Sequence, residues 1–343
     1  MKIFICQHAC GMPMAGTTSS AAGFRGEIML RALLADITRA GQSQVSVLRD
    51  PSLGFIDQPN GTSIIPWRHQ DAMEKVDQCI READAIWPLA PESNGVLESI
   101  SRRVLLHNKV LLGCRPAAIH LTGSKFRTSR ALRAAGIAAV PTYHAHSPLP
   151  SDTHAWVVKP DDGAGCSDTR IFSPLEAARK WIAVQKSGGY VLQPYISGRP
   201  CSLSVLCGNG DLVLLGCNDQ RVAVSDNQFH DMGSTVNGIE DDSGELERLT
   251  RRVISALPDM WGYVGIDFIR TDQGPVVLEV NPRMTLSHAG LHASIGANPV
   301  EMLLAMLRDG HWGVSKHQMS RRQVSVDVNA YQYHAQAAST VEG

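Results

Sequence analysis

Gly262-Tyr263-Val264-Gly265-Ile266-Asp267-Phe268-Ile269 and Pro275-Val276-Val277-Leu278-Glu279-Val280-Asn281-Pro282-Arg283 read as two apolar strands. Thr271-Asp272-Gln273-Gly274 between them has the chemistry of a hairpin turn. With the hairpin centred on Gln273, Asp267 and Glu279 become direct cross-strand partners, and alternation sets Asn281 on the face of Glu279. Two carboxylates and an amide oxygen on one face repel each other unless a cation lies between them. Oxygen-only donors with positions left for phosphate describe a magnesium site. The competing reading is two acids on the solvent side of an antiparallel strand. Their setting among Val, Ile, Phe and Leu argues against it. Arg283, two residues beyond Asn281, points the same way and can hold a phosphate or carboxylate bidentately.

Two segments upstream also break the rule that strand interiors are apolar. Trp156-Val157-Val158-Lys159-Pro160-Asp161-Asp162-Gly163-Ala164-Gly165-Cys166-Ser167 ends a strand on a lysine, which is costly to bury without an anion. Behind it, bare backbone N–H groups of the Gly-x-Gly turn can approach phosphate oxygens closely. An exposed strand-end lysine before an ordinary glycine turn is the other reading, and this segment alone leaves both open. The G-x-x-x-x-G-K-[ST] phosphate loop occurs nowhere in the chain. In Tyr190-Val191-Leu192-Gln193-Pro194-Tyr195-Ile196-Ser197-Gly198 the proline excludes a regular central strand, so an edge strand is expected. Its free carbonyls and amides could serve an adenine edge.

Outward from these segments, the chain alternates strands and helices over its first part. Lys2 to Cys6 reads as a strand, Gly11 to Gly23 as a loop, and Gly26 to Ala40 as a helix stopped by Gly41. Gln44 to Leu48, Ala83 to Leu89 and Asn108 to Gly113 follow as strands, with an amphipathic stretch from Gln70 to Glu82. Strands separated by helices imply parallel β-α-β units and a Rossmann-like open sheet. No G-x-G-x-x-G follows the first strand, so dinucleotide binding there has no support. Ser124 caps a helix to Ala135, and further helices are expected at 174–186, 243–256 and Asn298 to Arg308. Asn227 to Gly238 reads as a loop, solvent-facing or substrate-facing. The tail has a strand-like piece at Gln323 to Val328, and its last dozen residues are expected to be disordered.

The 343 residues carry 32 basic and 33 acidic side chains, a net charge of −1. That balance argues against nucleic-acid binding through bulk positive charge and against a polybasic membrane anchor. No apolar run approaches the roughly 18 residues a membrane span needs. The eight cysteines include no Cys-x-x-Cys pair, and reduced thiols acting as small hydrophobes in a cytoplasmic protein explain them. A metal reading of Cys6, His8 and Cys10 lacks a second ligand pair at zinc-site spacing.

Lysine-bearing strand, glycine loop, linker strand and Asp…Glu-x-Asn, in that order, resemble the ATP-grasp carboxylate–amine ligases from about Ser124 to Arg308. The resemblance implies an α/β and α+β protein, with a Rossmann-like pre-ATP-grasp domain (1–117) before a two-subdomain ATP-grasp fold (118–190 and 191–313). A C-terminal extension (314–343) completes the chain. It implies that Lys125 and Lys159 contact the phosphates of ATP and that Gly163, Gly165, Cys166 and Ser167 close over them. Gln193, Tyr195 and Ile196 would frame the adenine. Asp267, Glu279 and Asn281 would hold magnesium, or manganese in its place, and Arg283 with Lys159 would serve the chemistry. Small-molecule carboxylate and amine substrates follow, and a homodimer is left open. Where many members carry an acidic ribose residue this chain reads Arg199-Pro200-Cys201-Ser202, so that contact stays unassigned. The N-terminal half is similar to the tyramine–glutamate ligases of methanofuran-type cofactor synthesis. Gly26-Glu27-Ile28-Met29-Leu30, Ala83-Asp84-Ala85 leading to Ala90-Pro91-Glu92, and Asn218-Asp219-Gln220 carry that likeness.

Overall fold

Short apolar strands and amphipathic helices alternate from the start of the chain in this computed structural model. It describes residues 1–7, 20–41, 44–49, 56, 59–66, 72–150, 154–185 and 189–328. The first elements are β1 (Ile3–Gln7), α1 (Ser20–Arg39), β2 (Val45–Arg49), β3 (Thr62–Pro66), α2 (Ala72–Glu82), β4 (Ala85–Leu89), α3 (Val96–Leu106) and β5 (Val110–Leu111). The strands form one parallel sheet in the order β3-β2-β1-β4-β5. Ile3, Ile5, Val45, Val47 and Trp87 share a core with Ile28, Leu30, Leu33 and Ile37 of α1. Phe4, Cys6 and Ile86 face the other way, onto Val76, Ile80, Ile100 and Val104 of α2 and α3. Strand order reverses between β1 and β4, the kind of switch point outside whose carboxyl ends open α/β sheets bind ligands. The helix expected from Gly26 begins at Ser20, six residues earlier, because Ser20-Ala21-Ala22-Gly23 carries no apolar period to announce it.

Two short helices, α4 (Pro116–Thr122) and α5 (Lys125–Ala134), lead into the second part. There follow β6 (Tyr143–His144), β7 (Trp156–Pro160), β8 (Arg170–Phe172), α6 (Leu175–Ala183), β9 (Tyr190–Pro194), β10 (Arg199–Gly208), β11 (Asp211–Ser225) and β12 (Gln228–Val236). The chain continues with α7 (Glu245–Ala256), β13 (Gly262–Thr271), β14 (Gly274–Asn281), α8 (His288–Ile295), α9 (Pro299–Asp309) and β15 (Val324–Asp327). All these strands pair antiparallel, in the order β14-β13-β10-β11-β12-β8-β7-β9-β6, with β15 added to β12. A single residue pair, Gln228 with Arg170, links β12 to β8. The β8-β7-β9-β6 end has its own small core of Trp156, Val158, Ala178, Tyr190 and Leu192.

Two expectations change here. β9 is not an edge strand: β7 pairs along one side of it and the two-residue β6 along the other. Pro194 is tolerated because it ends the strand, beyond Val191 and Leu192, where β6 pairs. The segment Asn227 to Gly238 is mostly strand β12, and its polar residues alternate between two sheet faces. His8, Cys10 and residues 329–343 lie outside the described residues, while Cys6 is buried and its thiol is pushed up to about 12 by that burial and by Cys79. No helix among the described residues is long and apolar enough to cross a membrane.

The two sheets meet through α1 and α8. Asp36 of α1 is 4% exposed, with His292 Nδ1 2.7 Å from its Oδ1 and His288 Nε2 3.3 Å from its Oδ2. Burial pushes the Asp36 carboxyl up, but the hydrogen bonds and charges of His288 and His292 outweigh it and leave it below the usual range. An acid lowered in the folded state stabilises above its ordinary value, and that stability is lost as pH falls through the lowered one. Asp36→Asn should therefore cost about 2 kcal/mol at neutral pH. In thermal unfolding scans the deficit should fade as the pH drops below the ordinary aspartate range.

Candidate active site

The Asp267–Glu279 pairing is real, but two irregularities produce it together. The turn between β13 and β14 holds only Asp272 and Gln273, since Thr271 pairs with Gly274. Continued inward, that register would set Asp267 opposite Leu278. A bulge between Asp267 and Phe268 absorbs Leu278 and restores Asp267 opposite Glu279. Phe268 and Val277 thereby stay in the core, while both carboxylates share the opposite face. Gly265 pairs with Asn281, and a Cβ at Gly265 would lie 3.5 Å from the Asn281 Cβ and 2.6 Å from Thr285 Cγ2. The bare glycine leaves room for the Thr285 side chain, while its distance to Asn281 is ordinary contact.

Two lysines reach this face from different elements. Ser124 caps α5 by accepting from the Arg127 N–H at 3.1 Å. The first turn of α5 is tied to the end of β7, because the Lys125 N–H donates to the Asp161 carbonyl and the Phe126 N–H to Asp161 Oδ1. That docking brings Lys125 beside Lys159. Both Nζ atoms lie 3.4 Å from Glu279 Oε2, and both side chains are over nine-tenths buried. Lys125 Nζ also donates to the Gly163 carbonyl at 2.6 Å.

Among the described residues no cation pairs directly with Asp267, and Arg283 and Lys159 act on it only from a distance. Asp267 accepts from Gln220 Nε2 at 3.0 Å on Oδ1 and from Asn281 Nδ2 at 3.1 Å on Oδ2. Burial, and then the Glu279 charge, push its carboxyl up to about 7. Burial also raises Glu279, but Lys125 and Lys159 overcome it and hold that carboxyl down at about 2. Burial pulls the Lys159 ammonium below the usual lysine range, and Glu279 partly offsets it. The two acids thus sit in opposite electrostatic settings a strand apart. A divalent cation here would find two carboxylates and the Asn281 amide oxygen, a hard-oxygen set that suits magnesium or manganese rather than zinc. It would favour the ionised form of Asp267 as well as of Glu279. The donor set fits such an ion.

The remaining residues lie around this centre. Gly163, Gly165, Cys166 and Ser167 form the loop between β7 and β8, with Gly165 and Cys166 both left-handed at φ +63° and +60°. Gln193 is buried on β9 and donates to Thr142 Oγ1 at 2.8 Å. Tyr195 is 47% exposed and Ile196 half-buried, just past the strand. Arg283, read from the sequence as able to hold a phosphate or carboxylate, is bonded to two groups of this chain. Its Nε donates to Glu92 Oε2 at 2.8 Å, across from the parallel-sheet part, and its Nη1 to the Met284 carbonyl at 3.1 Å. The sequence reading gave no chemical role to Gln220, Glu92 or Arg25, and met Asp231 only within the 227–238 segment left solvent-facing or substrate-facing. Gln220 and Glu92 occur only in the segments of looser resemblance. Arg25, a single arginine on a helix, carries no signal.

Residues 122–287 match the model of the ATP-grasp domain, and residues 43–119 that of the pre ATP-grasp 3 domain. The chain carries an ATP-grasp domain preceded by a pre-ATP-grasp domain. It is 21% identical over 268 residues to the tyramine–L-glutamate ligase of Methanocaldococcus jannaschii, covering 78% of each chain. An ATP-grasp superfamily protein from Archaeoglobus fulgidus superposes with a TM-score of 0.68 at 21% identity, over 95% of this chain and 100% of that one. The L-amino acid ligase from Bacillus licheniformis gives 0.66 at 17%, over 89% and 73%. At these identities the structural likeness is one of fold. Within the ATP-grasp fold of this chain, the parallel sheet corresponds to the preceding domain and the antiparallel sheet carries the paired acids.

Proposed function

We propose that this ATP-grasp protein joins a carboxylate to an amine through an acyl phosphate, with ATP leaving as ADP and phosphate. One observation carries the reading: Asp267, Glu279 and Asn281 share a sheet face on which the buried ammonium groups of Lys125 and Lys159 converge. Lys125 and Lys159 would bind the phosphates, and the 163–167 loop with Cys166 and Ser167 would cover them. Gln193, Tyr195 and Ile196 would frame the adenine. Asp267, Glu279 and Asn281 would hold the divalent cation, which when bound offsets phosphate charge. A carboxylate oxygen of the first substrate attacks the γ-phosphorus in line, and the bond to the ADP oxygen breaks. The amine nitrogen then attacks the acyl carbon, phosphate departs, the nitrogen loses a proton, and an amide remains. Arg283 would steady the transferring phosphoryl group or the tetrahedral intermediate. An acyl phosphate hydrolyses readily, so the site must exclude water.

For the substrates, the likeness to a tyramine–L-glutamate ligase supports L-glutamate and an aromatic amine, in methanofuran-type cofactor synthesis. A panel of amines incubated with glutamate, magnesium and ATP tests this, read by ADP formation and product mass. ADP release stimulated by tyramine, with a product of glutamate plus tyramine less water, is the expected result. Stimulation by amino acids alone would reassign the amine, and no amine-dependent ADP with any acid would overturn the ligase reading.

A further inference from the structure

Arg25 belongs to α1, which packs on the parallel sheet, yet its guanidinium reaches the glycine loop of the other part. Nη1 donates to the Gly165 carbonyl at 3.1 Å, and Nε lies 3.2 Å from Asp231 Oδ2 on β12. The Arg25 and Asp231 side chains are 15% and 24% exposed, so the ion pair is partly desolvated. This contact gives a reason for glycine at 165. The residue has φ +63°, and a Cβ there would fall 2.4 Å from Arg25 Nη1. The loop's near end has its own tie to the same domain, since Ser93 Oγ donates to the Asp162 carbonyl and the Asn94 N–H to Asp162 Oδ2, both at 2.7 Å. Around the two ties, two of the loop's internal bonds are long, from the Gly163 N–H to the Pro160 carbonyl at 3.4 Å and from the Ser167 N–H to the Ala164 carbonyl at 3.3 Å. Its shape therefore depends on groups brought from outside it.

We propose that Arg25, itself fixed by Asp231, is a positioning residue that sets the 163–167 loop over the phosphate site. The pre-ATP-grasp domain then supplies part of the wall of the nucleotide site. This rests on the loop covering phosphate, as in the proposed function, but the placement of the loop can be tested without any substrate. Lysine at 25 would keep the charge and lose the fork that spans a carbonyl and a carboxylate together.

Hydrogen exchange on the ligand-free full chain is the first arm. Arg25→Ala, Asp231→Asn and Gly165→Ala should each speed exchange of the 163–169 amides by about 10-fold, leaving those of β13 and β14 unchanged. Gly165→Ala is informative because it displaces the arginine while leaving it in the chain. Arg102→Ala, on the exposed face of α3, should change nothing in the loop. The second arm measures the affinity for a non-hydrolysable ATP analogue with magnesium, expected to weaken about 10-fold in Arg25→Ala and less in Arg25→Lys. Unchanged loop exchange in all three variants overturns the proposal, whatever the enzyme does. Faster exchange with undiminished nucleotide affinity overturns its functional half. Both effects in a protein that forms no amide would support the role of Arg25 and sink the ligase reading alone.

Discussion

Glu279→Ala should lower amine-dependent ADP formation by at least about 10³-fold and destabilise the ligand-free protein. The first effect follows, on the proposed function, from the loss of one of the two carboxylates that would hold the divalent cation. The second follows from what Glu279 does without ligand: its Oε2 is the shared counter-ion of Lys125 and Lys159, whose side chains are only 8% and 9% exposed. Removing it leaves two like charges buried together, a loss of about 2–3 kcal/mol once the 19% exposure of Glu279 is allowed for. A glutamate held at about 2 stabilises the fold above its ordinary value of 4.5, and that contribution drains away as pH falls toward 2. The gap in unfolding temperature between wild type and variant should therefore be widest at neutral pH and narrow below about pH 4.5. Adding Lys159→Met to Glu279→Ala should recover much of the stability and none of the activity. Turnover unchanged in Glu279→Ala would remove the metal-site assignment, and an unaltered unfolding temperature would remove the counter-ion role.

The same residues show what the sequence carried and where it stopped. Period-two alternation located β13 and β14 and put Asp267, Glu279 and Asn281 on one face, because apolar neighbours make a misplaced acid conspicuous. The register came out right through two offsetting irregularities, a shorter turn and a bulge, neither of which leaves a compositional mark. Ser124 and the residues after it announced α5 by capping chemistry, and the structure adds only that Asp161 docks the helix start against β7. Glu92 and Arg25 were illegible as parts of a site for a different reason. Each is an unremarkable polar residue in its own segment, and its partner lies in the other half of the chain: Arg283 for Glu92, and Asp231 and Gly165 for Arg25. Long-range pairing of charges has no local period. Strand β9 was misjudged because a proline was weighed without knowing that β6, one of its two strand partners, stops short of it.

Glu92→Gln should cut the turnover rate about 10²-fold with the KM for ATP little changed, and Arg283→Ala should cut it about 10³-fold. Arg283 follows Asn281 by two residues, so its backbone is fixed by β14, but its guanidinium is aimed by two bonds. Nε donates to Glu92 Oε2 at 2.8 Å and Nη1 to the Met284 carbonyl at 3.1 Å, which sets the plane of the fork. The ion pair is well shielded, with side-chain exposures of 14% and 8%. A glutamine can still accept from Nε, so the fold should survive. It cannot balance the charge, and the arginine is then free to turn toward other acceptors. Ser93 and Asn94 keep their bonds to Asp162 in that variant, so the glycine loop and nucleotide binding should be spared. If Glu92 works by aiming Arg283, the double variant should be no slower than Arg283→Ala alone. Multiplied losses would mean that the two act separately, and the ion pair would then be a fastening between domains with no part in the chemistry.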